Sequence, residues 1–368
     1  MVLLVNSGKG IYPLCVSVSY PKASKTIVGH KEVREALRDT QTYSSDLQGD
    51  ADVRDYRQLP LEVDPPRHHL YRVALAPYFV KPTIELLIPQ FQDHTDKLIA
   101  DFFKDDKLEV GQHLSLPLVM KNLGVIYNRP QDVDEWISWG PDVWTAESDN
   151  RDGKVLHRYL DAIYEEALTK SKDDVWSQIA HLEIDGQQIS AAEFRGIAGV
   201  MLAGGRDTVV KLFTGIVWHF GNKPADLALL RSNPELIGAA IQEFLRFLTP
   251  LPAMNRTLVP ESSNAELPDD RYVGISFISG NFDESVFENP FEINFNRGRN
   301  PHLSFGFGPH TCLGNHIAEI EAKVFLEAIV NSGLNWKVTS EDVRYHQTPY
   351  TNIPDHFGSI TVAKVKFD

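Results

Sequence analysis

Cysteine is almost missing: Cys15 and Cys312 are the only two in 368 residues. Two thiols cannot build a disulfide framework, and they exclude a zinc module that gathers several cysteines. A reducing, cytoplasmic setting is the simplest expectation. Positive charge is also short. Lys and Arg number 36 against 50 Asp and Glu, a net charge of −14. That balance disfavours nucleic acid or an anionic membrane as a partner, because phosphate contacts need clustered Lys and Arg. Long apolar runs are absent too: no window approaches the about 18 uninterrupted apolar residues that a span requires. The run from Met1 to Val5 breaks at Asn6, too early for a signal segment or an anchor. No repeat, low-complexity tract or long linker rich in Pro, Gly or Ser divides the chain. What is present is ordinary globular material, 42% hydrophobic and 23% charged. A soluble protein is expected.

At roughly 150 residues per domain, length alone suggests two domains. The local pattern is β-prone over residues 11–29 and helical over 30–38. Asp64-Pro65-Pro66 opens a helix through about Phe79, with proline where a first turn tolerates it. Apolar spacing predicts helices over 83–104, 116–126, 155–169 and 172–182. The clearest helix runs from Ser190 to about Phe220; Ser190 with Glu193 forms a capping-box pattern, and Gly221, Asn222 and Pro224 stop it. At 1.5 Å per residue it spans about 45 Å, enough to cross a molecule of this size. Helices over 226–231, 234–247 and 314–332 follow, with short strands over 255–280 and 334–368. The fold class expected is mainly α with small β-sheets.

Two places break the local rules. Gly204 and Gly205 stand in the middle of the long helix, where each costs up to about 1 kcal/mol relative to Ala. Asp207 and Thr208 follow in an otherwise apolar stretch, and both side chains compete for backbone hydrogen bonds. Such inconsistency is expected at functional sites; a kink that relieves helix crossing is the plainer reading. The second place is Phe305-Gly306-Phe307-Gly308-Pro309-His310-Thr311-Cys312-Leu313-Gly314. Glycine and proline forbid regular structure there, and the loop delivers one thiol at a helix N-terminus, which favours a thiolate.

With these residues in view, the sequence resembles the cytochrome P-450 superfamily of haem-thiolate monooxygenases, soluble bacterial type. Phe305 to Gly314 resembles the haem-binding signature. Ala203-Gly204-Gly205-Arg206-Asp207-Thr208 resembles the oxygen-activation segment, Glu243-Phe244-Leu245-Arg246 the Glu-x-x-Arg pair, and Asp64-Pro65-Pro66-Arg67-His68 with Arg72 the haem-propionate segment. The four stand in the family's order and cover most of the chain. The resemblance implies one domain over 1–368, with haem between the long central helix and the cysteine loop.

It also implies roles. Cys312 would be the axial ligand of the iron of haem b (iron protoporphyrin IX), with electron density pushed toward O–O cleavage. Gly306 and Gly314 would let the loop approach the cofactor, and Phe305 would shield its proximal face. His68, Arg72, Arg256 and His310 would bind the propionates; His68 and Arg72, four apart, share a helix face. Glu243, Arg246 and Arg297 would form a buried structural network. Gly204 and Gly205 would open a groove for O2, the co-substrate, while Thr208 hydrogen-bonds reduced dioxygen and Asp207 gates proton delivery.

The implied function is hydroxylation or O-dealkylation of a small organic substrate, with two electrons from a ferredoxin-type partner and its reductase. A peroxide-driven peroxygenase of the same fold and a non-catalytic haem sensor or carrier are the alternatives. Pocket positions implied are the loop from Ser45 to Leu59, Val200, Ala203, Leu251, Met254, Asp355 and His356. The last two, being polar, suggest a substrate with hydroxyl or ether oxygens. Some residues depart from the family pattern: the segment before Lys25 is short or divergent, the region from Trp136 to Asp173 is compact, Glu319 stands where Arg is usual, and Phe282 interrupts Asn281-Asp283.

Overall fold

The computed structural model describes residues 25–365 apart from 47–55, 103, 106, 140–152, 171–173, 260–270 and 348–351. The β-prone stretch before Lys25, Cys15, and parts of the substrate loop and the compact 136–173 region lie outside the described residues.

In chain order the elements are β1 (Lys25–Ile27), α1 (His30–Arg38), β2 (Tyr43–Ser44), α2 (Arg67–Leu75), α3 (Lys81–Glu85), α4 (Ile88–Phe102) and β3 (Lys107–Glu109). Then come α5 (Leu116–Ile126), α6 (Val133–Ser138), α7 (Gly153–Thr169), α8 (Val175–Ala180), β4 (Glu183–Ile184), β5 (Gln187–Gln188), α9 (Ala191–Asn222), α10 (Pro224–Ser232) and α11 (Ile237–Leu248). The chain closes with β6 (Ala253–Leu258), β7 (Tyr272–Ser276), α12 (Phe277–Asn281), α13 (Asn315–Asn331), β8 (Trp336–Gln347) and β9 (Asn352–Lys364). Helices dominate and the sheets are small, as the sequence predicts. One sheet has the order β1-β7-β6-β2, with β1 parallel to β7 and the other pairs antiparallel; a second is antiparallel, β3-β9-β8; β4 and β5 form a hairpin. Among the described residues no helix is long and apolar enough to cross a membrane.

Proline accounts for two differences from the predicted helices. The stretch expected over 64–79 is helical only from Arg67 to Leu75 and tightens to a 3₁₀ turn at Ala76–Tyr78, because Pro77 has no N–H for the α ladder. The stretch expected over 83–104 is two helices, α3 and α4. Pro89 cannot donate to the carbonyl of Glu85, so the ladder stops and restarts there.

Helix α9 has 32 residues, and its helical assignment runs unbroken through Gly204-Gly205. Both arms of its capping box form: Glu193 N–H donates to Ser190 Oγ at 3.2 Å, and Ser190 N–H to Glu193 Oε2 at 2.9 Å. Tyr71 on α2 donates its hydroxyl to Glu193 Oε1 at 2.5 Å, which ties α2 to the start of α9. Packing fixes the rest of the helix. Phe213 stacks on Phe325 of α13 with ring centres 4.2 Å apart, and one cluster of buried apolar side chains runs from Leu59 to Val362 around it.

Candidate functional site

Helices α9 and α13 are both apolar over much of their surface, yet they do not close on each other along their whole length. Between them, bounded also by α2 and α5, lies a cavity of about 300 Å³. One wall is a stripe of α9: Val200, Met201, Gly204, Gly205, Thr208, Val209 and Leu212. Their spacing of three and four is that of one helix face. Gly204 belongs there for a steric reason: a Cβ added to it meets no atom within 4 Å, so the helix backbone itself faces the open space. At Gly205 an added Cβ would come within 3.0 Å of Leu123 Cδ2, a close approach of α9 to α5. The Thr208 hydroxyl, on the same wall, donates to the Gly204 carbonyl at 2.9 Å, so its competing hydrogen bond is satisfied without breaking the helix.

The facing wall is the loop Phe305–Gly314. Gly306 and Gly308 hold φ of +68° and +76°, and an added Cβ at Gly308 would lie 2.9 Å from the Leu37 carbonyl oxygen. These are the positions where the turn itself needs glycine. Phe307 is clamped outside by Arg34 and Arg38, whose guanidinium carbons lie 4.0 and 4.5 Å from its ring centre. Inside, Cys312 N–H donates to the Phe305 carbonyl at 2.8 Å, and Arg72 donates to the Thr311 carbonyl at 2.8 Å. The Cys312 thiol is free and exposed, but it lines the cavity and is otherwise surrounded by protein. Burial pushes its pKa up; the Gly314 N–H and the Arg72 charge oppose that without overcoming it. This corrects the sequence-based expectation that the helix N-terminus alone favours a thiolate.

A cluster of basic groups converges at one edge. His68, Arg72, Arg256 and His310 all line the cavity. The rings of His68 and His310 lie 4.1 Å apart, and the Nε2 atom of each is buried without a hydrogen-bond partner. The nearest carboxylate to His310 is Asp64, at 4.0 Å. Burial, and then the Arg72 charge, pushes His68 down to about 4; burial, and then His68 and Arg256, pushes His310 down to about 2. Orphaned donors and two arginines at the rim of an apolar slot suit a flat group that carries two carboxylates at one edge. The open glycine wall opposite the cysteine loop suits its plane. The residues present therefore fit the haem that the resemblance implies.

The remaining predicted residues are placed as follows. Phe305, Gly306, Gly314, Leu251 and Met254 line the cavity, as does Leu59 at the end of the substrate loop. Asp207 lies behind the α9 stripe, buried and ion-paired with Arg206; Oδ2 has no partner, and burial pushes its pKa up to about 6. Glu243, Arg246 and Arg297 meet away from the cavity. Arg246 forks onto Glu243 at 2.8 and 2.9 Å, Arg297 Nε bridges both carboxylate oxygens at 3.1 and 3.0 Å, and Asn300 adds a bond at 3.0 Å. Two placements correct the expectation. Ala203 packs against the core, because one residue of helix turns it about 100° from the Gly204 line. His356 is buried in β9 opposite Arg344 and is not on the cavity wall; the side chain of its neighbour Asp355 lies outside the described residues. Phe282 is absorbed by aromatic packing, 5.7 Å from Phe291, with the Arg246 guanidinium 5.3 Å from its ring centre. Glu319 accepts from Gln242 at 2.9 Å.

Among the wall residues that escaped the sequence reading, one is a buried acid. Glu321 is 3% exposed, lines the cavity and accepts a hydrogen bond from Asn122 Nδ2 at 2.9 Å. Its signal was available: it continues the stripe Gly314, Ile317, Ala318 at helical spacing.

Comparison with known proteins gives the site a family. The model of the family described as Cytochrome P450 matches residues 229–348. Cyclomarin C epoxidase of Salinispora arenicola is 28% identical over 352 residues, covering 88% of this chain and 87% of its own. Erythromycin C-12 hydroxylase of Saccharopolyspora erythraea is 29% identical, covering 82% and 80%. Among solved structures, a carbohydrate-active P450 superposes with a TM-score of 0.84 at 27% identity, covering 95% of each chain. A mutant of P450 EryK in complex with erythromycin B gives 0.78 at 27% identity, covering 92% and 90%. A fold shared nearly end to end with such proteins, around a cavity that suits haem, places this chain in the cytochrome P450 superfamily of oxidoreductases.

Proposed function

We propose that this single-domain protein is a haem-thiolate monooxygenase that takes O2 and two electrons from a ferredoxin-type partner and its reductase, and hydroxylates or O-dealkylates a small organic substrate. The observation that carries the reading is that the Cys312 thiol and the Gly204–Thr208 wall share one cavity. Haem b, when bound, supplies the activation of dioxygen. Cys312 would hold its iron, giving up the thiol proton that burial otherwise favours. His68, Arg72, Arg256 and His310 bind the propionates, which satisfies the two orphaned imidazoles. Phe305 would cover the group from the side of the cysteine loop, and Gly204 and Gly205 would leave room for O2 against α9. The Thr208 hydroxyl, which donates to the Gly204 carbonyl, would be able to turn into the cavity and hold a water beside O2. Asp207, whose pKa burial raises to about 6, takes up a proton at Oδ2 and passes it on near neutral pH. Glu243, Arg246 and Arg297 are structural.

The lining contributed by Leu59, Pro60, Leu61, Val200, Leu251 and Met254 is apolar. It orients a substrate by shape and excludes water. With His356 off the wall, little of the described lining favours a polar substrate; the carbohydrate-active relative keeps sugar ethers in a panel with terpenes and fatty acids. The test is the spectrum of the reduced protein under carbon monoxide. A strongly red-shifted Soret band is expected in the wild type and not in Cys312→Ser; a band unchanged by that substitution refutes the ligand assignment. In the same preparation Thr208→Ala should keep the band and lose product about 10²-fold, whereas a carrier has no product to lose.

A further inference from the structure

Two glycines of α9 meet opposite surroundings. Gly196 lies one turn before Val200 and two turns before Gly204, so it continues the cavity-facing stripe of the helix. A Cβ added at Gly204 meets no atom within 4 Å, whereas one added at Gly196 would lie 2.1 Å from the Arg57 carbonyl oxygen and 3.4 Å from Leu59 Cγ. The stripe is thus bare where the cavity is open and covered by another segment's backbone nearer the helix start. That close approach is possible because glycine has no side chain. A larger residue could not be absorbed by a change of rotamer, since the obstructing atom is main chain; the covering segment would have to lift away.

The covering segment is a closed turn. Glu62 N–H donates to the Gln58 carbonyl at 2.7 Å, and Gln58 N–H donates back to Glu62 Oε2 at 2.8 Å. Glu62 is 0% exposed, so this reciprocal pair is shielded from water, where such bonds hold more firmly. Leu59, Pro60 and Leu61 project from between the pair, and all three line the cavity. The segment leading into the turn is tied as well. Arg57 is ion-paired with Asp46, and the Tyr56 ring meets His157 of α7 edge-on with ring centres 5.0 Å apart. A turn closed at its base and tethered before it moves as one piece.

We infer that Gly196 determines specificity as a positioning residue: it seats the 58–62 turn on α9 as an end wall, which restricts the cavity to compact apolar substrates. Gly196 does not itself touch the substrate; it sets how closely Leu59, Pro60 and Leu61 approach the helix. Two turns of helix separate the seat from Gly204, a distance of about 12 Å. A molecule held against Gly204 can extend no further along α9 before it meets the turn. The consequence for turnover rests on the monooxygenase reading; the seat itself does not.

The test is optical titration of the haem-loaded protein with 1-alkylimidazoles of increasing chain length, from butyl to dodecyl. The imidazole anchors one end and the tail gauges the slot. In wild type affinity should rise about fourfold per methylene, then fall once the tail reaches the turn. In Gly196→Ala the fall should come at a longer chain, with dodecyl bound at least tenfold more tightly than by wild type and butyl no more tightly. Gly199→Ala is the control for a glycine lost from the same helix: its added Cβ makes ordinary contacts, 3.8 Å to Leu160 Cδ1 and to Tyr56 Oη, so its profile should match wild type. The proposal is overturned by affinity that rises unbroken to dodecyl in wild type, by a break that Gly196→Ala leaves in place, or by one that Gly199→Ala moves equally. If Gly196→Ala does not fold, Leu59→Ala, which trims the turn, should move the break to longer chains, and an unmoved break overturns it. Hydrogen exchange reads the seat without haem: Gly196→Ala should quicken exchange over residues 56–62 at least fivefold, and unchanged exchange also overturns it. Failure of the monooxygenase reading shows instead as binding without product, and failure of the haem reading as a missing red-shifted band; both leave the exchange result standing.

Discussion

A side chain added at Gly204 would project into the cavity and displace nothing but open space. Glycine is a poor helix former, so replacing it in the middle of α9 stabilises the helix by up to about 1 kcal/mol. These two facts predict a dissociation of stability from loading. Gly204→Leu should melt no lower than wild type, as read by circular dichroism, yet bind haem at least tenfold more weakly. A loss of fold in that variant would contradict the reading of the cavity wall. At this scale the sequence was informative wherever chemistry and spacing coincide. Val200, Leu251 and Met254 lie on the cavity as expected. Ala203 does not, because neighbouring residues of a helix face different ways. His356 was beyond reach for another reason: which face of a strand looks inward is set by its partners, here β8, and not by its own residues. The upward shift of the Cys312 thiol was also hidden, since burial is a tertiary property.

At the scale of elements, α11 is anchored through its charges. Arg246 is 0% exposed, and besides Glu243 it donates to the carbonyls of Asn281, Pro290 and Glu292. Burial alone would raise the Glu243 pKa; bonds from Arg246 and Arg297 reverse the shift and hold the carboxyl below its ordinary range. The network thus fastens α11 to α12 and to the irregular segment 288–297 that precedes the cysteine loop. Removing one partner strands the others in the interior, at a cost of about 3–5 kcal/mol. Glu243→Ala should therefore lose that much stability in urea unfolding, and a loss under about 1 kcal/mol, typical of an exposed pair, would contradict the buried network. Helix existence was legible from apolar periodicity, and so was the capped start of α9. Helix ends near Pro77 and Pro89 were not, although the proline rule that sets them was in plain view.

For the molecule as a whole, three histidines with depressed pKa values make acid a hazard before cofactor binds. Burial depresses His68 and His302 to about 4 and His310 to about 2, all from 6.5. Between 6.5 and 4 the unfolded chain binds protons that the folded one refuses, so stability is fully present above 6.5 and is lost as pH falls toward 4. Propionates beside His68 and His310 would raise both and shrink the difference. The unfolding free energy of haem-free protein should therefore drop more steeply over this window than that of loaded protein; equal slopes would argue against the propionate assignment. Length had suggested two domains, yet the apolar cluster around α9 extends from Leu59 to Val362. Long-range packing of that kind is not written in any local window of sequence.

The internal exposure of Cys312 has a practical consequence. It is the free cysteine among the described residues, and the thiol opens onto the cavity. A small alkylating reagent must therefore enter by the route a ligand takes, and anything seated between α9 and the loop stands in its way. In a Cys15→Ser background the rate of carbamidomethylation becomes an occupancy meter. It is slow near neutrality, because the buried thiol resists ionisation, it quickens with rising pH, and each ligand that fills the slot silences it. The protein carries its own binding reporter, with no dye attached and no spectrum required.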